Sequence, residues 1–591
     1  MMTASLSELK ILALDCQATG ANPQKGYLLE LGWMTACASP TKISQASGVQ
    51  AYLNLLPKDE IIPRSVSRIT GVTGDLMTAA ETSKNIWQHL MVTVREVNSE
   101  NQMPVCPTVI HFARFEVPFL KDLHQKNDPE SPFPFQIICT HEIAIRLLPD
   151  LPRRGLRAIA GYFSHSMPEF RRSADHVIAT VFIWKKIIAI LNAKLSVYTL
   201  DQLSEWLANT KPAGRSRRIY PMAPEIRLRL PDQPGIYRML RANDDLLYIG
   251  KAKSLKMRIN SYFRPKAPHA EHTLEMLTQA QKLDFTLTGS AVEAALLESD
   301  EIKRHSPPYN IALRRRQRRL AFCTKNLCRH STVADRECII GPLPDGKFID
   351  AVSAFGHWIS QGCRWTDHDL QHRGYELLGL STESVPDAAC LKEGLAIFRD
   401  DHPNLQSNQS PLRLLTALGA MFWRLGLEAA EAADMNAETS NGNDAEEVPL
   451  DVSSEERVWT PEAVARSMGH MVLHGAHLIR RARWFCLLSE SSLAWETSGR
   501  PDAFKNLIIL EGGAVINQGA MKITEDIPVP PNFDRTFPRR QKNLSLITYD
   551  RLRVLTTELR RLISENRHIE LCLGPTVILE NDQLKKALRW V

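Results

Sequence analysis

Residues Gly235–Phe263 read GIYRMLRANDDLLYIGKAKSLKMRINSYF, and this stretch decides how the 591-residue chain is organised. GIYRML (Gly235–Leu240) and LLYIG (Leu246–Gly250) are short runs rich in aromatic and branched apolar residues, and the polar loop Arg241–Asp245 separates them. That pattern predicts a β-hairpin, with a basic helix following over Ser254–Tyr262. A further strand is expected over Leu283–Leu287. Ser290 with Glu293 three residues on then forms a capping box, which satisfies unpaired amides at the start of the next helix. The result is a small α/β domain over residues 230–315 with a sequence of polar candidates: Tyr237, Tyr248, Lys251, Arg258, Glu298 and Asn310.

Taken singly, each of these has a packing explanation, since tyrosines suit half-buried strands and glycines relieve backbone crowding. Packing alone does not require Tyr, Tyr, Lys, Arg, Glu and Asn in this order. With KAKSLKMRINSYF after the hairpin and EAALLESDEIKRHSPPYN closing the segment, the region from about Pro231 to Leu313 strongly resembles the GIY-YIG nuclease domain of the UvrC and Cho repair endonucleases. The resemblance implies a role for each residue. Glu298 is the single carboxylate ligand of a divalent metal, Mg or Mn, because hard oxygen donors suit these ions. Tyr248, favoured over Tyr237, orients or deprotonates the attacking water, with Lys251 and Arg258 as nearby cations that favour a phenolate. Arg258 clamps the phosphate through its planar fork, and Asn310 closes the site.

Charge supports a polyanion partner. The chain carries +6 overall, but Lys211–Arg329 holds 24 Lys/Arg against 11 Asp/Glu, so this segment is +13 and the remainder −7. Such localisation favours nucleic-acid phosphates, and the DNA-contact candidates are Lys251, Lys253, Lys256, Arg258, Arg314, Arg315 and Arg316.

Upstream, strand patterns at Lys10–Asp15, Tyr27–Met34, Gly48–Leu55 and Pro107–Phe112 precede helical patterns around Val117–Lys126, Leu156–Phe163 and Ser173–Ile190, which argues for an α/β domain over residues 8–190. LALDCQATG (Leu12–Gly20), YLLELG (Tyr27–Gly32), ITGVTGDLM (Ile69–Met77) and HFARFEVPFL (His111–Leu120) resemble the DEDDh 3′–5′ exonucleases of the DnaQ and RNase T type, an RNase H-like fold. Such nucleases hold two metals between four carboxylates and use a histidine as general base.

Matched to that pattern, Asp15 is the first acid and Asp175 the fourth, and either would be a metal ligand. Gln17 replaces the second acid, Glu116 stands for an aspartate, and Phe170 occupies the place of the histidine. His176 is one step along the helix, about 100° off the expected site face, and His165 lies in a loop. These departures imply an exonuclease domain that keeps its fold and is impaired in catalysis.

The remaining chain reads as a linker over 191–229, a helical or mixed region over 316–426, an acidic disordered insertion over 427–457 and an α+β tail over 458–591. Overall the expected class is multidomain α/β and α+β. Eleven scattered cysteines do not form a disulfide framework, which implies a reducing compartment. Cys323, Cys328, Cys338 and Cys363 lack a C-x2-C knuckle, which argues against an iron–sulfur or zinc site. Apolar runs are too short for a bilayer and the N-terminus lacks a signal pattern, so a cytoplasmic protein is expected.

The combined reading is a metal-dependent endonuclease that nicks one DNA strand in nucleotide excision repair, working with repair or replication proteins. Two alternatives stand beside it: an active 3′–5′ exonuclease that uses the GIY-YIG domain to bind DNA, and a non-catalytic DNA-binding scaffold.

Overall fold

The computed structural model describes residues 5–39, 48–58, 60–165, 170–212, 219–264, 269–310, 319–344, 347–380, 386–406, 409–434, 459–496, 504–530, 544–574 and 577–589. Arg314, Arg315 and Arg316 lie outside these residues, as does 435–457 of the acidic stretch. The helix Pro411–Asp434 takes in the first part of that stretch.

The N-terminal sheet contains β1 (Ile11–Ala18), β2 (Leu28–Ala36), β3 (Gln50–Leu53), β4 (Cys106–Ile110) and β5 (Phe135–Cys139) in the order β3-β2-β1-β4-β5. β1 runs antiparallel to β2 and parallel to β4, which is in turn parallel to β5. The pleat sends alternate residues of β1 into separate cores. Ile11 and Ala13 pack with the long helix Ser173–Leu195, whereas Leu12 and Leu14 pack with Trp87, Leu90 and Leu120 on the opposite face. This is the α/β layering expected from strands followed by helices. The helix Ser83–Asn101 and strand β5 were not foreseen.

Part of the stretch read as a linker is folded. Thr199 and Gln202 form a capping box that opens the helix Leu200–Asn209, whose Leu203 is buried in the N-terminal core. Downstream, Met222 and Leu230 are buried in the next core. Apolar residues spaced between Pro and Arg were enough to anchor both ends.

The second sheet is built from β6 (Gly235–Leu240), β7 (Leu246–Ala252) and β8 (Lys282–Leu287), antiparallel in the order β7-β6-β8. Helices Leu255–Ser261 and Glu271–Gln279 supply Leu255, Ile259, Met276 and Leu277 to its core.

The chain divides into two compact units: Met1–Thr288 with His305–Ile311, and Gly289–Arg304 with Ala312–Val591. This grouping cuts across residues 230–315. The helix Ala291–His305, which carries Glu298, starts at the expected capping box, with the Glu293 amide donating to Ser290 Oγ at 3.2 Å. It belongs to the second unit, where Val292 and Leu296 join a core with Leu552 and Leu555. Two ion pairs hold it to the helix Leu546–Ser564: Arg551 to Asp300 at 2.8 Å and Lys303 to Asp550 at 3.0 Å.

The second unit also contains a small sheet of β9 (Leu320–Thr324), β10 (His330–Ser331) and β11 (Cys338–Pro344), and a group of helices that includes Pro411–Asp434 and Pro461–Leu488. Its last sheet is antiparallel throughout, β12 (Ser492–Glu496), β13 (Phe504–Glu511), β14 (Ala514–Lys522), β15 (Ile569–Cys572) and β16 (Ile578–Glu580), in the order β14-β13-β12-β15-β16. No helix among the described residues is long and apolar enough to cross a membrane.

Candidate functional site

Strand register places the two hairpin tyrosines. Tyr237 on β6 is opposite Gly250 and Met239 is opposite Tyr248, so the tyrosines lie diagonally on one face with ring centroids 6.0 Å apart. The glycines of both tripeptides are there because backbone or a ring comes too close for a side chain. A Cβ at Gly250 would collide with the Tyr237 ring, and one at Gly235 would collide with the Thr286 carbonyl on β8.

Arg258 and Tyr262 complete this cluster from the following helix, where their spacing puts both on one face. The Tyr237 and Tyr262 hydroxyls are 2.9 Å apart, and the Arg258 guanidinium sits 5.1 Å from the Tyr262 ring centroid. Burial, reinforced by the phenols of Tyr248 and Tyr262, pushes the Tyr237 hydroxyl well above the ordinary tyrosine range. Tyr237 is therefore a buried hydroxyl held away from ionisation. For Arg258, burial alone would lower the pKa, but the phenols of Tyr237 and Tyr262 outweigh it and hold the guanidinium charged. Lys251, Lys253 and Lys256 are exposed.

Asn310 is buried, and both ends of its amide are used on β7: the Ile249 amide donates to Oδ1 at 2.9 Å and Nδ2 donates to the Ile249 carbonyl at 2.7 Å. Its role in this geometry is to fix the strand between Tyr248 and Gly250. Glu298, in the second compact unit, is a half-exposed carboxylate on its helix. Tyr262 was missed by the sequence reading, although its place four residues after Arg258 on a helix was the available signal. His269 was missed as well, and its Nε2 lies 2.7 Å from the Tyr262 carbonyl oxygen.

The N-terminal cluster differs from expectation at one decisive position. His176 Nδ1 lies 3.2 Å from Asp15 Oδ1 and 3.2 Å from Gln17 Nε2, and Gln17 Nε2 donates to Asp15 Oδ2 at 3.2 Å. His176 therefore faces the acids, contrary to the offset inferred from the helical repeat. Asp175, the expected fourth acid, instead accepts from the backbone amides of Arg172 at 3.2 Å and Arg171 at 3.3 Å. It caps the helix Ser173–Leu195.

The cause lies in β2. Buried Glu30 accepts the Ser173 amide at 2.9 Å and pairs with Arg172, while the missing side chain at Gly32 lets Ser173 approach the strand. This anchor sets the rotation of the helix, so the site-facing position is 176. Counting back five residues then gives exposed Arg171 where Phe170 was expected, and Phe170 packs against the His176 ring at 5.2 Å. His165 has other neighbours and stacks on Phe182 at 4.4 Å.

Electrostatically the cluster is closed. Burial is the main cause that raises Asp15, against the opposing effect of His176. Burial followed by the Asp15 charge drives Glu116 well above the usual carboxylate range. Burial alone would lower His176, but the charge and hydrogen bond of Asp15 raise it above 6.5. Asp15 is thus compensated by an imidazole and an amide, Glu116 is a buried acid whose pKa is pushed up, and Asp175 is spent on a helix end. This donor set does not fit a two-metal carboxylate site. Among the described residues no group of three or more His, Cys, Asp or Glu is arranged to hold a metal ion.

The UvrC-like GIY-YIG family model matches residues 233–311, so the chain carries such a domain. A Mycobacterium tuberculosis (strain CDC 1551 / Oshkosh) protein, named as a candidate bifunctional exonuclease/endonuclease, is 26% identical over 315 residues, 52% of this chain and 45% of that protein. UvrABC system protein C of Psychrobacter sp. (strain PRwf-1) is 49% identical over 86 residues, 15% of this chain and 14% of that protein. The chain therefore spans less than half the length of either relative. The crystal structure of the GIY-YIG N-terminal endonuclease domain of UvrC from Thermotoga maritima, bound to its catalytic magnesium, is 32% identical over 15% of this chain and all of that one, with a TM-score of 0.14.

Proposed function

We propose that this chain is a phosphodiester hydrolase, a UvrC/Cho-type endonuclease that nicks one strand of DNA during excision repair and depends on Mg²⁺ or Mn²⁺. The observation that carries this reading is the cluster of Tyr237, Tyr248, Tyr262 and charged Arg258 inside the matched domain. In this reading Arg258 grips the scissile phosphate, with its charge assured by the surrounding phenols. Tyr248 is only half-buried, whereas Tyr237 is sealed in, so Tyr248 receives the proton of the attacking water and Tyr237 positions the ring cluster. Asn310 holds β7 in place beneath them.

Glu298, a partly exposed oxygen donor, suits a hard divalent cation and would hold it. When bound, that ion neutralises charge on the phosphoryl oxygens and stabilises the leaving alkoxide. Lys251, Lys253 and Lys256 follow the phosphate backbone, and Arg314, Arg315 and Arg316 continue the basic stretch in sequence. The N-terminal domain keeps the exonuclease fold and lacks exonuclease chemistry, a reading supported by the Asp15–His176–Gln17 contacts. Repair or replication proteins are the partners and the cytoplasm the compartment in this reading.

The test is cleavage of damaged duplex by wild type, Glu298→Gln and Asp15→Ala in parallel, with Mg²⁺, Mn²⁺ or EDTA. Wild type should nick internally in a metal-dependent manner. Glu298→Gln should lose about 10²–10³-fold in rate, comparable to removing one transition-state charge contact, and Asp15→Ala should cut normally. A 3′-end ladder that requires Asp15 would instead support the exonuclease reading, and cleavage unaffected by Glu298→Gln would defeat the proposed site.

A further inference from the structure

The outer strand of the second sheet carries an exposed aromatic residue in register with the tyrosine cluster. β8 reads KLDFTL and ends the order β7-β6-β8. Phe285 stands opposite Tyr237 and Leu287 opposite Gly235, and directly opposed residues share a face with Cβ atoms about 5 Å apart. Arg238, the residue after Tyr237, confirms which face this is. Its guanidinium reaches Asp284 at 3.0 Å and Thr286 Oγ1 at 3.1 Å, so those two neighbours of Phe285 belong to the other face. Phe285 therefore continues the Tyr237 face across the sheet to its edge.

The pleat sorts β8 by chemistry. Lys282, Asp284 and Thr286 occupy one face, and Leu283, Phe285 and Leu287 the other. Tyr237 and Met239 on the neighbouring strand are fully buried, whereas Phe285 is 40% and Leu287 46% exposed. Apolar residues scattered singly over a surface are ordinary. Here two successive positions of one face stand open at an edge, on the face whose Tyr237 is hydrogen-bonded by exposed Arg258. Edge strands are usually guarded by charge, so an open apolar face at an edge marks a contact surface.

We propose that Phe285, supported by Leu287, stacks on a nucleobase beside the phosphate gripped by Arg258 and so positions the strand for cutting. This rests on the reading that the chain cuts DNA at the tyrosine cluster. The occupant is a nucleic acid because a charged guanidinium for a phosphate and an open ring for its base are the two halves of a nucleotide contact. Every base has a π-face, so the ring holds a nucleotide whatever its sequence. In a continuous duplex those faces are covered by neighbouring bases. The contact therefore takes a nucleotide that is unpaired or displaced from the stack, and it directs the cut there.

The experiment uses the full chain in EDTA and a labelled duplex with a short unpaired segment, in which a fluorescent aminopurine replaces each base in turn. Its emission falls when it stacks. Wild type is compared with Phe285→Ala, Phe285→Leu and Phe285→Trp, and thermal melting checks that each variant folds. Wild type and Phe285→Trp should quench the probe. Phe285→Ala should bind about 5- to 100-fold more weakly, the range for one lost stacking contact, and Phe285→Leu should not restore quenching. No phosphate contact is removed, so the slope of log Kd against log salt should match wild type throughout. Affinity and quenching in Phe285→Ala equal to wild type would overturn the proposal. So would full recovery by leucine, which would make the side chain a packing residue. A wild-type dimer in sedimentation that Phe285→Ala disrupts, with DNA binding unchanged, would overturn it too, because the edge would then pair with a second copy. Failure of wild type to nick any duplex with metal would sink the DNA-cutting reading itself, whereas Glu298-dependent nicking indifferent to Phe285 would sink the stacking alone.

Discussion

Two polar clusters in the first compact unit stand on similar frames and end in opposite electrostatic states. Each sets side chains from strand positions against residues of a following helix. In the N-terminal cluster the charges cancel internally: Asp15 meets His176 and Gln17, while Glu116 is buried and raised toward neutrality. In the hairpin cluster burial pushes the Tyr237 phenol up, and the charged Arg258 reaches the surface. Similar frames can thus carry opposite electrostatics, set by a few side chains. Of the two, the hairpin cluster is the one that presents an exposed cation.

The comparison breaks most readily at Arg258 and Tyr248. Arg258→Lys keeps the charge and loses the planar fork, and Tyr248→Phe removes the hydroxyl while leaving the ring. Each should lower nicking about 10²–10⁴-fold, the usual range for a positioned proton acceptor or charge contact. The same assay with Gln17→Ala or His176→Ala should show a change within about twofold, since an internally neutralised cluster supplies nothing to the reaction. Equal losses from both clusters would mean that the N-terminal site takes part in cutting.

Much of this was legible beforehand, for physical reasons. The hairpin, the basic helix and the capping box at Ser290 are local patterns, fixed by residues within a few positions of one another. The same is true of β1, β2 and β4 in the N-terminal sheet, whose apolar runs stop at turn residues. His176 was misread because the rotation of its helix is set from a distance, by Glu30 and Gly32 on β2, and a helical repeat counted from Asp175 contains no such information.

Acidity offers a second way to sharpen the contrast. His111 is buried between Thr140 Oγ1 at 2.9 Å and the Arg154 carbonyl at 3.1 Å, and burial with nearby His141 lowers it to about 3. A base depressed in the folded state contributes stability that is fully present above its unfolded pKa of about 6.5 and disappears as pH falls from there toward 3. The loss should be about 1.4 kcal/mol per pH unit through that window. Asp15 and Glu116, raised by burial, act in the opposite direction, so the informative quantity is the difference between wild type and His111→Gln. Thermal melting from pH 7 to pH 4.5 should fall more steeply in wild type than in the variant. Parallel curves would mean that the imidazole is not held neutral.

The smallest expected effect tests the register of the long helix directly. If Asp175 is a cap, Asp175→Ala removes an acceptor from the Arg171 and Arg172 amides and should cost about 1 kcal/mol, a melting shift of about 2–4 °C for a domain of this size. Asp175→Asn, which retains a capping oxygen, should recover most of that loss, because asparagine caps nearly as well as aspartate. Mn²⁺ should shift the melting temperature of neither variant differently from wild type. If Asp175 were the fourth ligand of a working metal pair, the pattern would invert. Asparagine would be no better than alanine, and Mn²⁺ would stabilise wild type more than either variant. Rescue by asparagine without a metal effect therefore separates a residue that ends a helix from one that binds an ion.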